Sequence, residues 1–426
     1  MPDNSRSDLT GPDPHTAGHH TSGPGGTLTD TQLPAAQLPA AHRADFTFRR
    51  GVSGISVQAR DLTPVDDWEP GLDVVGALPF DHRDGTPERL YTAGVPLTPG
   101  SLTAGAAGDR TASGVHATTV DTGRGDFFTA GVRTLLKSLE SDGDLRKVVL
   151  ARSVRAELDR VPDWESLLRR LSSRNRSAWV FSVPLDPTSG DRAFLGASPE
   201  LLVSRRGDRI VSHPLAGSVP RSPDPDEDRR RAESLTRSSK DHTEHAYVVD
   251  MIASVLAPLC TRLDVPRHPE LLATDKMWHL GTRITGKLAG DGTDALSLAR
   301  LLHPTPAVGG VPTGPAVDRI RELEPVGRGY FAGTAGWCDA RGDGDWVVSI
   351  RSAEFTGNRV TAWAGAGIVE GSDPDSEYTE TGAKLRTVLE GLGVLPAEPE
   401  APQASTITGT AGTTGTTGTG EDAGGH

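Results

Sequence analysis

Residues Trp346–Leu392 read WVVSIRSAEFTGNRVTAWAGAGIVEGSDPDSEYTETGAKLRTVLEGL, and this stretch decides the fold class. Trp346–Thr356 has strand composition, Gly357-Asn358 is a turn pair, and Arg359–Trp363 resumes the strand, so the segment predicts a hairpin. It runs into the glycine-rich Gly365–Val369, and a helix is expected from about Glu377 to Leu392. GAGIV is not a dinucleotide fingerprint, because the third glycine and the strand-then-helix setting are missing.

Upstream the same mixture recurs. Phe128, Val132, Leu135, Leu136 and Leu139 fall at helical spacing within Phe127–Glu140, and Val- and Leu-rich Lys147–Leu158 predicts a buried strand. A short helix over Trp164–Leu171 and a strand over Ala178–Val183 follow. Leu201–Ser204 and Arg209–His213 predict a hairpin around Arg205–Asp208, whose Arg-Gly-Asp is read as a turn and not as an adhesion motif. Asp241–Leu259 predicts a long helix with Val248, Val249, Ile252, Val255, Leu256 and Leu259 inward. Strict strand–helix alternation is absent, so the class is α+β with a largely antiparallel sheet core surrounded by helices.

Only 35% of the 426 residues are apolar, which directs attention to segments unable to bury a core. Residues 1–42 and 396–426 are such segments, rich in Gly, Pro and Thr, and both are expected to be disordered tails. Residues 43–395 remain as one catalytic domain, since no convincing linker divides them. Cys260 and Cys338 are too few for a disulfide framework and fit a reducing cytoplasm. No signal pattern and no run of about eighteen apolar residues is present, so no membrane association is expected. A net charge of −13 argues against nucleic acid as a partner, and an anionic substrate would need locally concentrated cations.

Four segments place polar residues where packing does not call for them. Lys147 enters an otherwise apolar strand; it is either a solvated strand end or a general base, which requires a neutral amine. Glu200 in LGASPELLVS either caps the Ser198-Pro199 turn or acts as a general acid kept protonated by an apolar pocket. Glu244 follows Asp241 by three residues, so the two form an acceptable capping box, or Glu244 serves a site. Glu377, Glu380 and Lys384 share one helix face, where intrahelical pairing competes with an oxygen cage for Mg²⁺ completed by Glu244. No CxxC or HExxH spacing supports zinc.

Taken together, these segments resemble the chorismate-utilising enzymes. The similarity runs from VVGALPFD at Val74 to Leu392 and is strongest in KVVLAR (Lys147–Arg152), GASPELL (Gly196–Leu202), HPLAGS (His213–Ser218), SKDHTEH (Ser239–His245), LLHPTPAVGG (Leu301–Gly310), Gly336–Ala353 and Trp363–Leu385. The family fold has two pseudo-symmetric halves. Within the family the wording is most similar to isochorismate synthases of catechol siderophore pathways. Lys147 stands where water-using members carry lysine, Ala216 where aminodeoxychorismate synthases place a covalent lysine, and Ala307 where anthranilate-type members tend to have threonine. Val308 departs from a common leucine.

The resemblance implies Lys147 as the base that activates water and Glu200 as the acid that protonates the leaving hydroxyl. It implies Glu244, Glu377 and Glu380 as Mg²⁺ ligands, with Gly217, His279, Ala307, Val308, Phe331, Arg351, Gly365 and Lys384 around the substrate. A packed core histidine is the competing account of His279. The implied reaction is chorismate to isochorismate, for 2,3-dihydroxybenzoate siderophores or, alternatively, for menaquinone. A monomer without a glutaminase subunit is expected. The rivals are a salicylate synthase, which would also release pyruvate, and a non-catalytic scaffold subunit.

Overall fold

In the computed structural model the described residues run from 43 to 394, apart from 52, 95, 98–99, 102–114, 123–124, 142 and 291. The tails expected at 1–42 and 396–426 lie outside them. Two large sheets and a small one form the frame, and every strand pairing among the described residues is antiparallel.

The first sheet is ordered Gly310–Val311, Lys147–Leu158, Arg359–Ile368, Ser352–Thr356, Arg192–Ser198, Trp179–Pro184, Phe46–Arg50, Ser53–Val57 and Gly100–Ser101. Ala117–Asp121 also pairs with the Lys147 strand. At the centre of the second sheet are Arg209–His213, Leu201–Arg206, Gly344–Val348, Thr334–Cys338 and Val74–Leu78. The third sheet holds Leu215–Pro220, Met277–Gly281 and Glu270–Ala273. Phe46, Phe181, Phe194, Val75, Trp337 and Val347 fill one buried cluster that joins strands of both large sheets.

Helices close the remaining faces. Gly125–Ser141 packs through Phe128, Val132 and Leu135 against Val148 and Leu150, as its periodicity predicts, with Leu136 and Leu139 partly buried beside them. Trp164–Arg174 buries Trp164, Leu167, Leu168 and Leu171 beside Leu385, Val388 and Leu392 of the final helix, Pro374–Leu392. Ser239–Leu256 ends one turn early in a 3₁₀ segment, Ala257–Leu259, because Pro258 has no N–H to continue the ladder. The Arg-Gly-Asp turn is tied into the fold: Arg206 pairs with Asp345 at 2.6 Å and Asp208 with Lys287 at 3.3 Å.

One expectation is corrected. Trp346–Thr356 is not a single strand: Gly344–Val348 belongs to the second sheet and Ser352–Thr356 to the first. The break falls at Arg351, whose φ of 55° is a left-handed conformation unusual for a side-chain-bearing residue. The hairpin partner is also longer than expected, since Arg359–Ile368 continues through GAG and pairs along the whole Lys147 strand.

Trp346 is fully buried in the core, and its indole N–H has no partner among the described residues. Trp346→Ala should therefore cost about 3–5 kcal/mol. Trp346→Phe should cost much less, since it keeps a ring and removes the unpaired donor. Urea denaturation of the two variants measures the difference.

Candidate active site

Two of the chain's passages between the large sheets run side by side. The chain leaves the first sheet at Ser198 and enters the second at Leu201, and it returns from Val348 to Ser352. The two crossings are bonded together: Ser198 Oγ donates to the Val348 carbonyl at 2.6 Å, the Val348 N–H to Glu200 O at 3.2 Å, and the Ala197 N–H to Arg351 O at 3.1 Å. Glu200 and Arg351 sit in the crossings, where no sheet face claims their side chains. Both line an open cavity of about 1020 Å³, its mouth included.

Every position expected to form the site lines this cavity: Lys147, Glu200, Gly217, Glu244, His279, Ala307, Val308, Phe331, Arg351, Gly365, Glu377, Glu380 and Lys384. Ala216 lies on the wall, offering no amine for covalent attack. Lys147 is 2% exposed despite standing first in its strand, so the solvated account of it does not hold. Its amine lies 3.5 Å from Glu244 Oε2. Glu244 is free to make this contact because Ser238, not Asp241, caps the helix: Ser238 Oγ accepts from the Asp241 N–H at 3.2 Å. The expected Asp241–Glu244 capping box does not form.

Glu200 is 2% exposed and spends only its backbone on the turn, through a Glu200 N–H to Ser198 Oγ bond of 3.2 Å. Burial pushes its carboxyl up to about 8, against a hydrogen bond from the Leu215 N–H and the charge of Lys147. His279 is buried on the third sheet and held neutral: burial first, then Arg351 and Lys384, lower it to about 3. It is thus both a packed histidine and a wall of the cavity.

The acidic residues do not close into a metal cage: among the described residues no three His, Cys, Asp or Glu side chains form a group able to hold a metal. Each carboxylate turns to a lysine, with Lys240–Glu377 at 3.3 Å and Lys384–Glu380 at 2.6 Å beside Lys147–Glu244. The reason is electrostatic. Burial and then the charge of Glu380 hold Glu377 above its ordinary range even beside Lys240. For Glu380, burial is outweighed by Lys384, Lys240 and Arg351, which hold it below that range. Hard carboxylate oxygens crowded on one wall still suit Mg²⁺, which keeps several waters and needs few protein ligands.

Lys240, Asp241, Arg328, Trp363 and Gly367 also stand on the cavity wall, although their sequence context assigned them no place in the site. Trp363 stacks on Phe331 with centroids 6.0 Å apart and planes 12° from parallel. Gly367 was not legible as a close approach, because the strand was expected to end at Trp363 and only the structure carries it through Gly367.

The comparisons with known proteins agree with this arrangement. Residues 104–393 match the family model described as chorismate binding enzyme. The chain belongs to this family of chorismate-binding enzymes. The isochorismate synthase DhbC of Bacillus subtilis is 49% identical over 257 residues, which span 60% of this chain and 65% of that relative, so the aligned part is just under two thirds of its length. The vibriobactin-specific isochorismate synthase of Vibrio cholerae is 40% identical over 325 residues, 75% of this chain and 79% of the relative. A solved structure from Bacillus anthracis, a candidate 2,3-dihydroxybenzoate-specific isochorismate synthase, aligns with a TM-score of 0.73 at 35% identity, covering 85% of this chain and 98% of that one.

In this chorismate-binding enzyme the glycine beside Lys147 is a steric requirement. A Cβ on Gly367 would lie 2.9 Å from Lys147 Cε and 3.2 Å from Glu244 Oε2. Gly367→Ala should displace the amine and lower turnover by about 10- to 100-fold while the melting transition stays cooperative. Steady-state rates alongside a thermal melt check this.

Proposed function

We propose that the chain is an isochorismate synthase, an isomerase that adds water to chorismate and expels the ring hydroxyl. The observation that carries this reading is a buried amine and a buried carboxyl on one cavity, with the carboxyl kept protonated to about 8 and cations around both. The named relatives point the same way.

Hydroxide is a poor leaving group, so the departing oxygen needs a proton as its bond breaks and the diene shifts. Glu200, neutral below about 8, is suited to donate it. Lys147 removes the proton from the entering water, and an amine base adds no negative charge beside a dianion, as a carboxylate base would. One proton is taken up and one is given, so a Lys147-to-Glu200 transfer restores the starting state. Acid and base each contribute about two to four decades in rate. Arg351 and Lys384 supply the positive charge that the two substrate carboxylates require.

Mg²⁺ would be held by Glu244, Glu377 and Glu380, where it would neutralise the ring carboxylate and take up the carboxylate charge now paired with Lys147. Related names that include vibriobactin and 2,3-dihydroxybenzoate support a catechol siderophore destination. No helix of the described residues is long and apolar enough to cross a membrane. Two unpaired cysteines support a reducing compartment, the cytoplasm. We further infer that residues 43–395 act as one catalytic domain and that the chain works without a glutaminase subunit.

Chromatography of the products from chorismate, with and without Mg²⁺, tests the reading. Isochorismate is expected only with Mg²⁺, and salicylate with pyruvate as main products would overturn it. Lys147→Ala and Glu200→Gln should each abolish turnover while chorismate still binds in calorimetry.

The rate also carries a pH signature. Because the protonated form of Glu200 is the acid, kcat should fall as pH rises through about 8 and should not fall there for the acid's sake at lower pH. A pH–rate profile above neutrality measures this limb.

A further inference from the structure

Among the described residues, the strand that begins with Lys147 has no strand neighbour along part of one edge. On that edge Gly310 and Val311 pair with Val148 and Lys147, and the next pairing, Asp121 with Arg155, lies well beyond. Between them the Val149 N–H still reaches Gly309 O at 2.8 Å, but among the described residues Val149 O and the Ala151 N–H have no backbone partner there. Buried peptide groups of this kind are costly if left unpaired.

Two side chains replace the missing strand. Arg328 Nη2 donates to Val149 O at 2.6 Å, and Glu324 Oε1 accepts from the Ala151 N–H at 2.7 Å. The two are joined through Arg328 Nε to Glu324 Oε2 at 2.9 Å and Nη2 to Oε1 at 2.5 Å. The same guanidinium donates through Nη1 to Val308 O at 2.8 Å and lies 4.2 Å from the Phe80 ring centroid. Arg328 is 2% exposed and lines the catalytic cavity.

We propose that Arg328, braced by Glu324, is a positioning residue of the reaction: it fixes the Lys147 strand relative to the adjacent Ala307–Val308 loop, which lines the same cavity. One planar fork bonds the carbonyls of Val149, two residues from the base, and of Val308, on the cavity wall. Lysine cannot reproduce this, because its single ammonium has no rigid fork to hold two carbonyls and a carboxylate in one plane. This inference rests on the proposed use of Lys147 as the base.

The test is Arg328→Lys with Glu324→Gln as a milder companion, since the amide oxygen of the introduced side chain can still accept from the Ala151 N–H. Each is measured for kcat, KM, product identity and thermal melting with the full chain. Arg328→Lys should lower kcat by about 10- to 100-fold in protein that melts cooperatively, with KM moving by less than about 3-fold. Glu324→Gln should lower kcat less, and the double variant should fall no further than Arg328→Lys, because both act through one fork. A purely structural role would lower the melting temperature and leave kcat per folded molecule within about two-fold of the parent, which overturns the proposal. If Arg328→Lys does not fold, an unchanged kcat in Glu324→Gln overturns it equally. The parent's product, read in the same runs, separates this outcome from failure of the isochorismate reading: salicylate from the parent would sink that reading, and the kcat ratio still decides the clamp.

Discussion

The site depends on two antiparallel runs of chain changing sheets at the same level. A strand's side chains are committed to one face or the other, and a residue between two sheets has no such commitment. Because the crossings at Pro199-Glu200 and at Ser349–Arg351 hydrogen-bond to each other, neither can slip without the other. The pair holds one acid and one cation at a fixed depth in the protein. Arg351 accepts a left-handed backbone there, a conformation that costs of order 1–3 kcal/mol and persists only where neighbours over-determine it. The bonds on either side of Arg351 supply that determination.

Burial at this depth converts position into chemistry. A carboxyl in the crossing is desolvated, so Glu200 retains its proton, and an imidazole beside two cations, His279, stays neutral. Lysine–carboxylate pairs line the same cavity. Through Lys240–Glu377 and Lys384–Glu380 an acidic protein presents a dianion with cations whose own charges are locally balanced, avoiding the penalty of unpaired buried ions. A divalent cation and a dianion arriving together would leave that balance unchanged, which is the electrostatic argument for their using one wall.

Much of this was legible in the residues, and the gaps have physical causes. Strand Lys147–Leu158 and the helix faces followed from composition and period, because each buries a single face or is buried throughout. The Trp346–Thr356 break was not legible: its composition stays strand-like, and nothing in local periodicity reports that Arg351 adopts positive φ. Asp241 was misread as a cap because Ser238, three residues earlier, satisfies the same rule and wins. Lysine at a strand entry left a general base and a solvated end both open, and histidine in an apolar segment gained functional meaning only from the family resemblance. Arg328 and Glu324 carried no signal at all, since their partners are backbone groups distant in sequence.

The glycine-rich strand explains why the cavity exists where these groups meet. Ala364, Gly365, Ala366 and Gly367 pair with Arg152, Ala151, Leu150 and Val149, so the floor beside Lys147 is nearly bare backbone. Larger residues would fill the space: a Cβ on Gly365 would lie 3.1 Å from Val149 Cγ1, and one on Gly367 would meet Lys147 itself. The bare floor also exposes the Gly365 carbonyl, which accepts from Lys384 Nζ at 3.0 Å and so aims that cation at the cavity. Glycine weakens a strand interior. The loss is tolerable here because pairing with the Lys147 strand extends from Arg359 to Ile368, far beyond the floor, so stability comes from the flanks and the gap is reserved for substrate.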